Sequence, residues 1–260
     1  MTEAKSSQPA AFEVIDDLRI ADLRAALAAG WGDFLAAPKF GLFFGAIFAI
    51  SGLALSFVLL ERGEISWLIP AAAGFPLLAP FVAVGLYEVS RRREAGLDMR
   101  WGDILGAVRG RGDEQILSMG VIIFVAFGFW VIIAHLVFSI FLVEAGAGSE
   151  SIEFLFTSLG LTMLAVGSAI GAVIALAFYA ITVVSLPMLV DREVDFLTAI
   201  FASLKAFRDN TKVMIVWAAA IAVLLFLALI PAFLGLFIVL PVLGHATWHL
   251  YRRLVTSKTA

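Results

Sequence analysis

The chain has 260 residues, 62% of them apolar and only 15% charged, with a net charge of −3 and no cysteine. Soluble domains run nearer about 45–50% apolar and 25% charged, so this composition needs lipid as part of its solvent. A near-neutral charge gives no electrostatic case for nucleic acid, and the lack of cysteine removes disulfides, thiolate metal sites and thiol nucleophiles.

In chain order, the start is polar and small, with no apolar run in the signal-peptide window, and 1–18 reads as a disordered cytoplasmic tail. Ile20, Leu23, Leu27, Trp31 and Phe34 then share one helical face, with Asp22 and Asp33 off it. Uncharged runs of 21 residues (40–60) and 23 residues (65–87) follow. Each suffices for one helix through a hydrocarbon core about 30 Å thick. Trp101, Ile104, Leu105 and Val108 form a second amphipathic stretch before an uncharged run of 29 residues, 115–143. A 37-residue run, 154–190, comes next. Phe196, Ile200, Leu204 and Phe207 make a third amphipathic stretch, ahead of a 39-residue run at 213–251 and a tail at 255–260.

Charge parity decides how often the long runs cross. If 154–190 crosses once and 213–251 twice, 17 of the 18 Lys and Arg lie on one side and only Arg62 on the other. That is the positive-inside pattern with the basic side cytoplasmic. The turn in the last run is expected near 231–235, where Pro231 ends one helix and Gly235 permits a tight reversal. Six spans result, at about 40–60, 65–87, 116–142, 158–187, 213–231 and 233–251, with both ends cytoplasmic. The expected fold class is all-α: a polytopic membrane helical bundle of three hairpins within a membrane domain at 19–254. Each hairpin is preceded by a cytoplasmic amphipathic helix, as a pseudo-threefold parallel repeat.

The second and sixth spans carry that repeat best. Gly74, Pro80, Tyr87, Arg91 and Arg92 align at identical spacing with Gly235, Pro241, Trp248, Arg252 and Arg253, whereas the fourth span keeps only Pro187. An aromatic at the inner interface followed by two arginines suits headgroup contact. Tyr87, Glu88, Arg91, Arg92, His245, Trp248, His249 and Arg252 are accordingly the candidate contacts to anionic headgroups or to a partner protein.

Chemistry-bearing motifs are absent. There is no G-x-S-x-G elbow, H-E-x-x-H helix, Walker loop or dinucleotide fingerprint, so no catalytic residue and no enzyme activity are expected. His245 and His249 sit at i, i+4, and Glu88 could approach them, yet two histidines are a thin ligand set and neither metal nor cofactor is expected. No Asp, Glu, Lys or Arg falls inside any assigned span, which argues against ion coupling. Gly41 with Gly45, and Gly167 with Gly171, are small-x-x-x-small pairs suited to packing within the bundle.

The phrases Gly-Leu-Phe-Phe-Gly (41–45), Gly-Phe-Pro-Leu (74–77), Gly-Leu-Tyr-Glu-Val-Ser-Arg-Arg (85–92) and Gly-His-Ala-Thr-Trp-His-Leu-Tyr-Arg (244–252) resemble a bacterial family. It comprises predicted integral membrane proteins of unknown function (domain of unknown function 2189), and the resemblance runs over about 18–254. It implies a bacterial inner (cytoplasmic) membrane location and offers no active site to carry over. Some relatives bear the label of cytochrome oxidase component. A haem–copper core needs a cluster of histidines, and this chain has three, with His135 and His245 at opposite depths. The first functional expectation is therefore a non-catalytic scaffold or accessory subunit of an inner-membrane assembly, respiratory oxidases among the candidates. The alternative is a passive permease, or a protein binding a small molecule or lipid in a central cavity. Its expected partners are the bilayer, anionic headgroups at the cytoplasmic face and other inner-membrane subunits.

Overall fold

A computed structural model of the chain describes residues 12–62, 83–109, 115–145 and 152–257. The elements are β1 (Phe12–Val14), α1 (Ile20–Ala36), α2 (Pro38–Glu61), α3 (Val84–Glu94), α4 (Trp101–Gly106), α5 (Gln115–Ala145), α6 (Ser158–Thr182), α7 (Ser185–Asp191), α8 (Phe196–Asp209), α9 (Thr211–Leu229), α10 (Leu236–Leu254) and β2 (Val255–Ser257). Short 3-10 turns follow α4 at Ala107–Arg109 and precede α6 at Ile152–Phe156. The described chain is thus helical apart from one two-stranded ribbon, as expected of an all-α bundle.

Among the described residues, four helical stretches are long and apolar enough to cross a membrane: Pro38–Glu61, Gln115–Val143, Ser158–Asp191 and Thr211–Leu229. The expected second span, with Pro70, Pro76, Pro80 and the Gly74 end of the repeat, lies mostly outside the described residues.

Local chemistry explains most boundaries. Asp22 accepts the Arg19 backbone N–H at 2.8 Å at the start of α1, and Pro38 at the first position of α2 forces the break at Ala37. Asp195 caps α8 by accepting from Thr198 N–H at 2.9 Å. The expected span at 158–187 is broken at Val183–Val184 into α6 and α7. Pro187 is the reason: it has no N–H for the Val183 carbonyl, and its ring crowds that oxygen. The turn between α9 and α10 falls where proline and glycine place it, but glycine does not make the reversal. Ala232 and Phe233 take the left-handed conformation, with φ of 50° and 65°, and Gly235 does not. Gly235 is needed for space instead, since a Cβ there would lie 2.6 Å from the Ala228 Cα.

The middle of the bundle is α10, which packs against α1, α2, α3 and α9. Glycines permit its close neighbours. A Cβ on Gly30 would lie 2.5 Å from the Ala246 backbone N, so α1 crosses α10 there. Further along, Cβ atoms on Gly41, Gly45 and Gly52 would meet Phe34 and Pro241, the Phe237 backbone and the Phe233 ring. Gly171 likewise receives the Trp130 ring. The small-residue pairs therefore serve packing within the chain.

Three expectations about the surface helices and tails need correction. First, α1 buries Leu23, Ala26, Gly30, Asp33 and Phe34, while Ile20 and Trp31 are exposed. The packed face is the one with small residues, and Asp33 is on it. Second, α8 packs Phe196, Ile200 and Phe207 of the expected face against the core beside the buried Ala199, Ala202, Ser203 and Ala206, and only Leu204 of that face is exposed. In both helices small side chains share the contact with large ones where the helices approach closely. Third, residues 12–18 and 255–257, expected in the tails, are ordered. β1 pairs antiparallel with β2, Val14 opposite Val255, so both ends of the described chain lie on the same side. Buried Asn210 holds this arrangement by accepting from Leu18 N–H at 3.0 Å and donating to the Ile15 carbonyl at 2.8 Å. Asn210→Ala would strand both backbone groups and is expected to cost about 1–3 kcal/mol. Limited proteolysis should then cut within 12–18 much faster than in the wild type; an unchanged cleavage rate would show that the asparagine is dispensable.

Candidate functional site

Two features of the bundle carry chemistry, one polar and one apolar, and α10 forms a wall of each. The polar one begins with Asp33, which is 4% exposed. Its Oδ2 accepts from Ser90 Oγ at 2.6 Å and lies 2.8 Å from His249 Nε2, and its Oδ1 pairs with the Arg93 guanidinium. Ser90 Oγ also lies 2.8 Å from His245 Nδ1. The side chains come from α1 (Asp33), α3 (Ser90 and Arg93) and α10 (His245 and His249). Burial by itself pushes the Asp33 carboxyl up, but hydrogen bonds from His249 and Ser90, together with the nearby histidines, hold it below its ordinary value.

Proton bookkeeping follows from the ionised carboxylate. Ser90 gives its only proton to Asp33, so His245 must donate Nδ1–H to Ser90 and carry a bare Nε2. That nitrogen is buried without a hydrogen-bond partner. The order of contacts differs from a nucleophilic triad, in which the acid orients the histidine and the histidine takes the hydroxyl proton. Here the acid grips the hydroxyl directly, and Ser90 is 1% exposed. The arrangement ties α1, α3 and α10 together.

Among the expected contact residues, Tyr87, Glu88, His245 and Trp248 are buried within the protein and do not face headgroups. Glu88 does not reach the histidines. Its carboxylate takes Arg91 at 2.6 and 2.7 Å and Arg92 at 3.3 Å. Arg92 also pairs with Asp103 at 2.8 Å, and Arg252 bridges Glu94 at 3.2 Å and Asp191 at 3.1 Å. Trp248 donates its indole N–H to Glu94 at 3.1 Å. The repeated arginine pairs thus bind carboxylates of the same chain: Glu88 within α3, Glu94 and Asp191 at the ends of α3 and α7, and Asp103 on α4. Asp33, the centre of the cluster, was the residue that periodicity set aside as off-face. The Ala26–Gly30 spacing was the signal for its true side, since small residues mark where helices touch.

The apolar feature is a cavity of about 540 Å³ between α6, α9 and α10, lined also by Ala83 and Tyr87. Its walls are small or aliphatic, with Ala172 and Ala175 from α6, Ala218 and Ala222 from α9, and Leu243 from α10. No Asp, Glu, Lys, Arg or His lines it among the described residues. The side-chain polar groups among its described lining residues are the hydroxyls of Tyr87, Tyr179, Thr182 and Thr247. Thr182 donates to the Phe178 carbonyl at 2.7 Å and Thr247 to the Leu243 carbonyl at 2.8 Å, while Tyr179 is directed at Met214 Sδ, 3.8 Å away. A void of this size and polarity suits a lipophilic ligand. The sequence reading anticipated a cavity only as an alternative, because alanines 43 or more residues apart carry no local signal of a shared wall.

No group of three His, Asp or Glu residues among those described is arranged to hold a metal ion. No curated protein and no solved structure matches the chain. The resemblance read from the sequence is found over a narrower stretch than 18–254. With four helices long and apolar enough to span a bilayer, residues 68–191 match the family described as predicted integral membrane protein (DUF2189), and the protein is an integral membrane protein of unknown function.

Proposed function

We propose that this is a non-catalytic inner-membrane protein of six spans, both ends cytoplasmic, that holds a lipophilic small molecule or a lipid within its bundle. The apolar cavity between α6, α9 and α10 is the observation that carries the reading. The topology has independent support. Pairing of β1 with β2 requires an even number of crossings, and 17 of 18 Lys and Arg favour the side of those ends as cytoplasmic. The four long apolar helices, α10, and a span through 65–87 make six. Exposed Trp31 and Trp101 suit the interface of the inner leaflet.

The experiment is to purify the protein in mild detergent, extract it with organic solvent and quantify bound lipophiles by mass spectrometry. One species at near-stoichiometric amount is expected. Ala222→Trp, which fills the cavity from α9, should lower its occupancy at least tenfold while the protein still elutes as a single folded species. Equal occupancy in the filled variant would overturn the reading.

A scaffold role has one observation in its favour. Helix α5 turns Val121, Phe124, Phe129, Ile132, Leu136 and Ile140 outward. That face meets lipid or a partner subunit. Stoichiometric co-migration of other subunits in a native detergent extract would favour the partner, and a lone protein would leave the face to lipid.

A further inference from the structure

We propose that the cavity selects a neutral long-chain lipid whose head presents a carbonyl oxygen, and that the Tyr87 hydroxyl is the group that recognises it. This rests on the ligand-binding reading above and specifies the ligand class. Tyr87 stands on α3, lines the cavity and is 3% exposed. Its hydroxyl makes no hydrogen bond to any described residue. Each of the other three hydroxyls in the lining has already directed its proton, two to backbone carbonyls and one to a thioether. A phenol in an apolar wall that gives its proton to no described residue is poorly solvated, and an acceptor oxygen delivered by a ligand satisfies it.

The remaining lining sets the rest of the ligand. With no cation among the described lining residues, a carboxylate or phosphate brought inside would lose its hydration without compensation from them. The head must therefore be neutral. The tail is set by α9, whose cavity-lining residues run from Ile215 to Leu229. At 1.5 Å rise per residue that is roughly 20 Å of apolar wall, the reach of a long acyl or prenyl chain. The polar end lies next to the Asp33 cluster, because Ser90 follows Tyr87 by one turn of α3 and Thr247 lies between His245 and His249 on α10. That end belongs to the same side of the bundle as both termini, so the head sits at the level of one leaflet and the chain runs toward the other.

Three probes with one chain length isolate the head: methyl hexadecanoate, hexadecanoate and hexadecane. Each is titrated against the full-length protein in lipid nanodiscs, with displacement of an environment-sensitive hydrophobic fluorophore as the readout. Wild-type protein should bind the methyl ester about fivefold to tenfold more tightly than hexadecane, as one net hydrogen bond allows. Hexadecanoate should bind more weakly than the ester at neutral pH. Tyr87→Phe should remove the ester's advantage and leave hexadecane within about twofold of its wild-type affinity, which also reports that the variant is folded. Equal ester affinity in Tyr87→Phe and wild type overturns the proposal, and so does carboxylate binding as tight as the ester. Those results would leave the cavity a generic apolar site. If none of the three probes displaces the fluorophore from wild type, and Ala222→Trp takes up as much fluorophore as wild type, the ligand-binding reading itself fails.

Discussion

Asp33→Ala is expected to destabilise the protein by about 3 kcal/mol, read as a fall in apparent melting temperature of the detergent-solubilised protein. The carboxylate is the one acceptor that Ser90, His249 and Arg93 share among the described residues. Its loss leaves a buried hydroxyl without its acceptor and two cationic or polar groups without their counter-charge, a change that typically costs about 3–5 kcal/mol when the pair is fully buried. Arg93 is 42% exposed at its side chain and can turn to water, which places the value at the lower end of that range. Ser90→Ala should cost less, about 1 kcal/mol, because Asp33 keeps Arg93 and His249. The effect depends on pH in a defined direction. Because the fold holds the Asp33 carboxyl below its ordinary value, its stabilisation is present at neutral pH and is lost as the pH falls through the carboxylate range to the lowered folded value. The wild type should therefore lose stability over that window more steeply than Asp33→Ala. Parallel pH profiles for the two proteins would show that Asp33 contributes nothing to the fold.

Gly30→Ala should be as damaging as a much larger substitution elsewhere. The added Cβ would lie 2.5 Å from the Ala246 N, 2.7 Å from the Val242 O and 2.9 Å from the Ala246 Cα. All three are backbone atoms of α10, which cannot rotate away as a side chain can. Overpacking ordinarily costs about 1–3 kcal/mol, and the upper end applies where the obstacle is a helix backbone. Moving α1 outward to make room would also stretch the bonds from Asp33 to Ser90 and His249, so the loss should exceed that of a simple clash. Gly32→Ala, two residues on, provides the contrast. Its Cβ would meet only the Arg93 guanidinium, at 3.9 Å, and alanine is the better helix former by about 0.8–1 kcal/mol. The two variants should shift the melting temperature in opposite directions. A loss of similar size in both would mean that helix α1 as a whole, and not the crossing at Gly30, limits stability.

Much of the architecture was legible in the sequence, for a reason that is local. A helix crossing lipid must satisfy its own backbone and carry an uncharged surface, so 40–60 and 115–143 are legible from run length, while 154–190 and 213–231 need charge parity and Pro231 as well. Pro38, Pro187 and Pro231 mark real boundaries because proline acts on its own turn of chain. The side on which the ends lie followed from charge parity, and the β1–β2 pairing agrees that they lie together.

What the tertiary structure alone decided concerns which side chains face each other. Hydrophobic periodicity sets Asp33 off the apolar face of α1, whereas close helix approach buries it beside Ala26 and Gly30 and leaves Ile20 and Trp31 of that face exposed. In a bilayer a large apolar side chain gains nothing by hiding from its surroundings, so packing density replaces hydrophobicity as the rule for what is inside. Arg91 and Arg92 share Glu88 of their own helix, but the other acids that hold the arginines of 91–92 and 252–253, namely Asp103, Glu94, Asp191, Asp17 and Asp22, come from other elements and carry no local signal of the pairing. By itself the sequence determined a helical membrane protein with its ends on one side. Assembly decided that His245 would meet Ser90, that Tyr87 would line an apolar cavity, and that Asp33 would hold three helices, because each depends on the distance between segments far apart in the chain and on no property of any one of them.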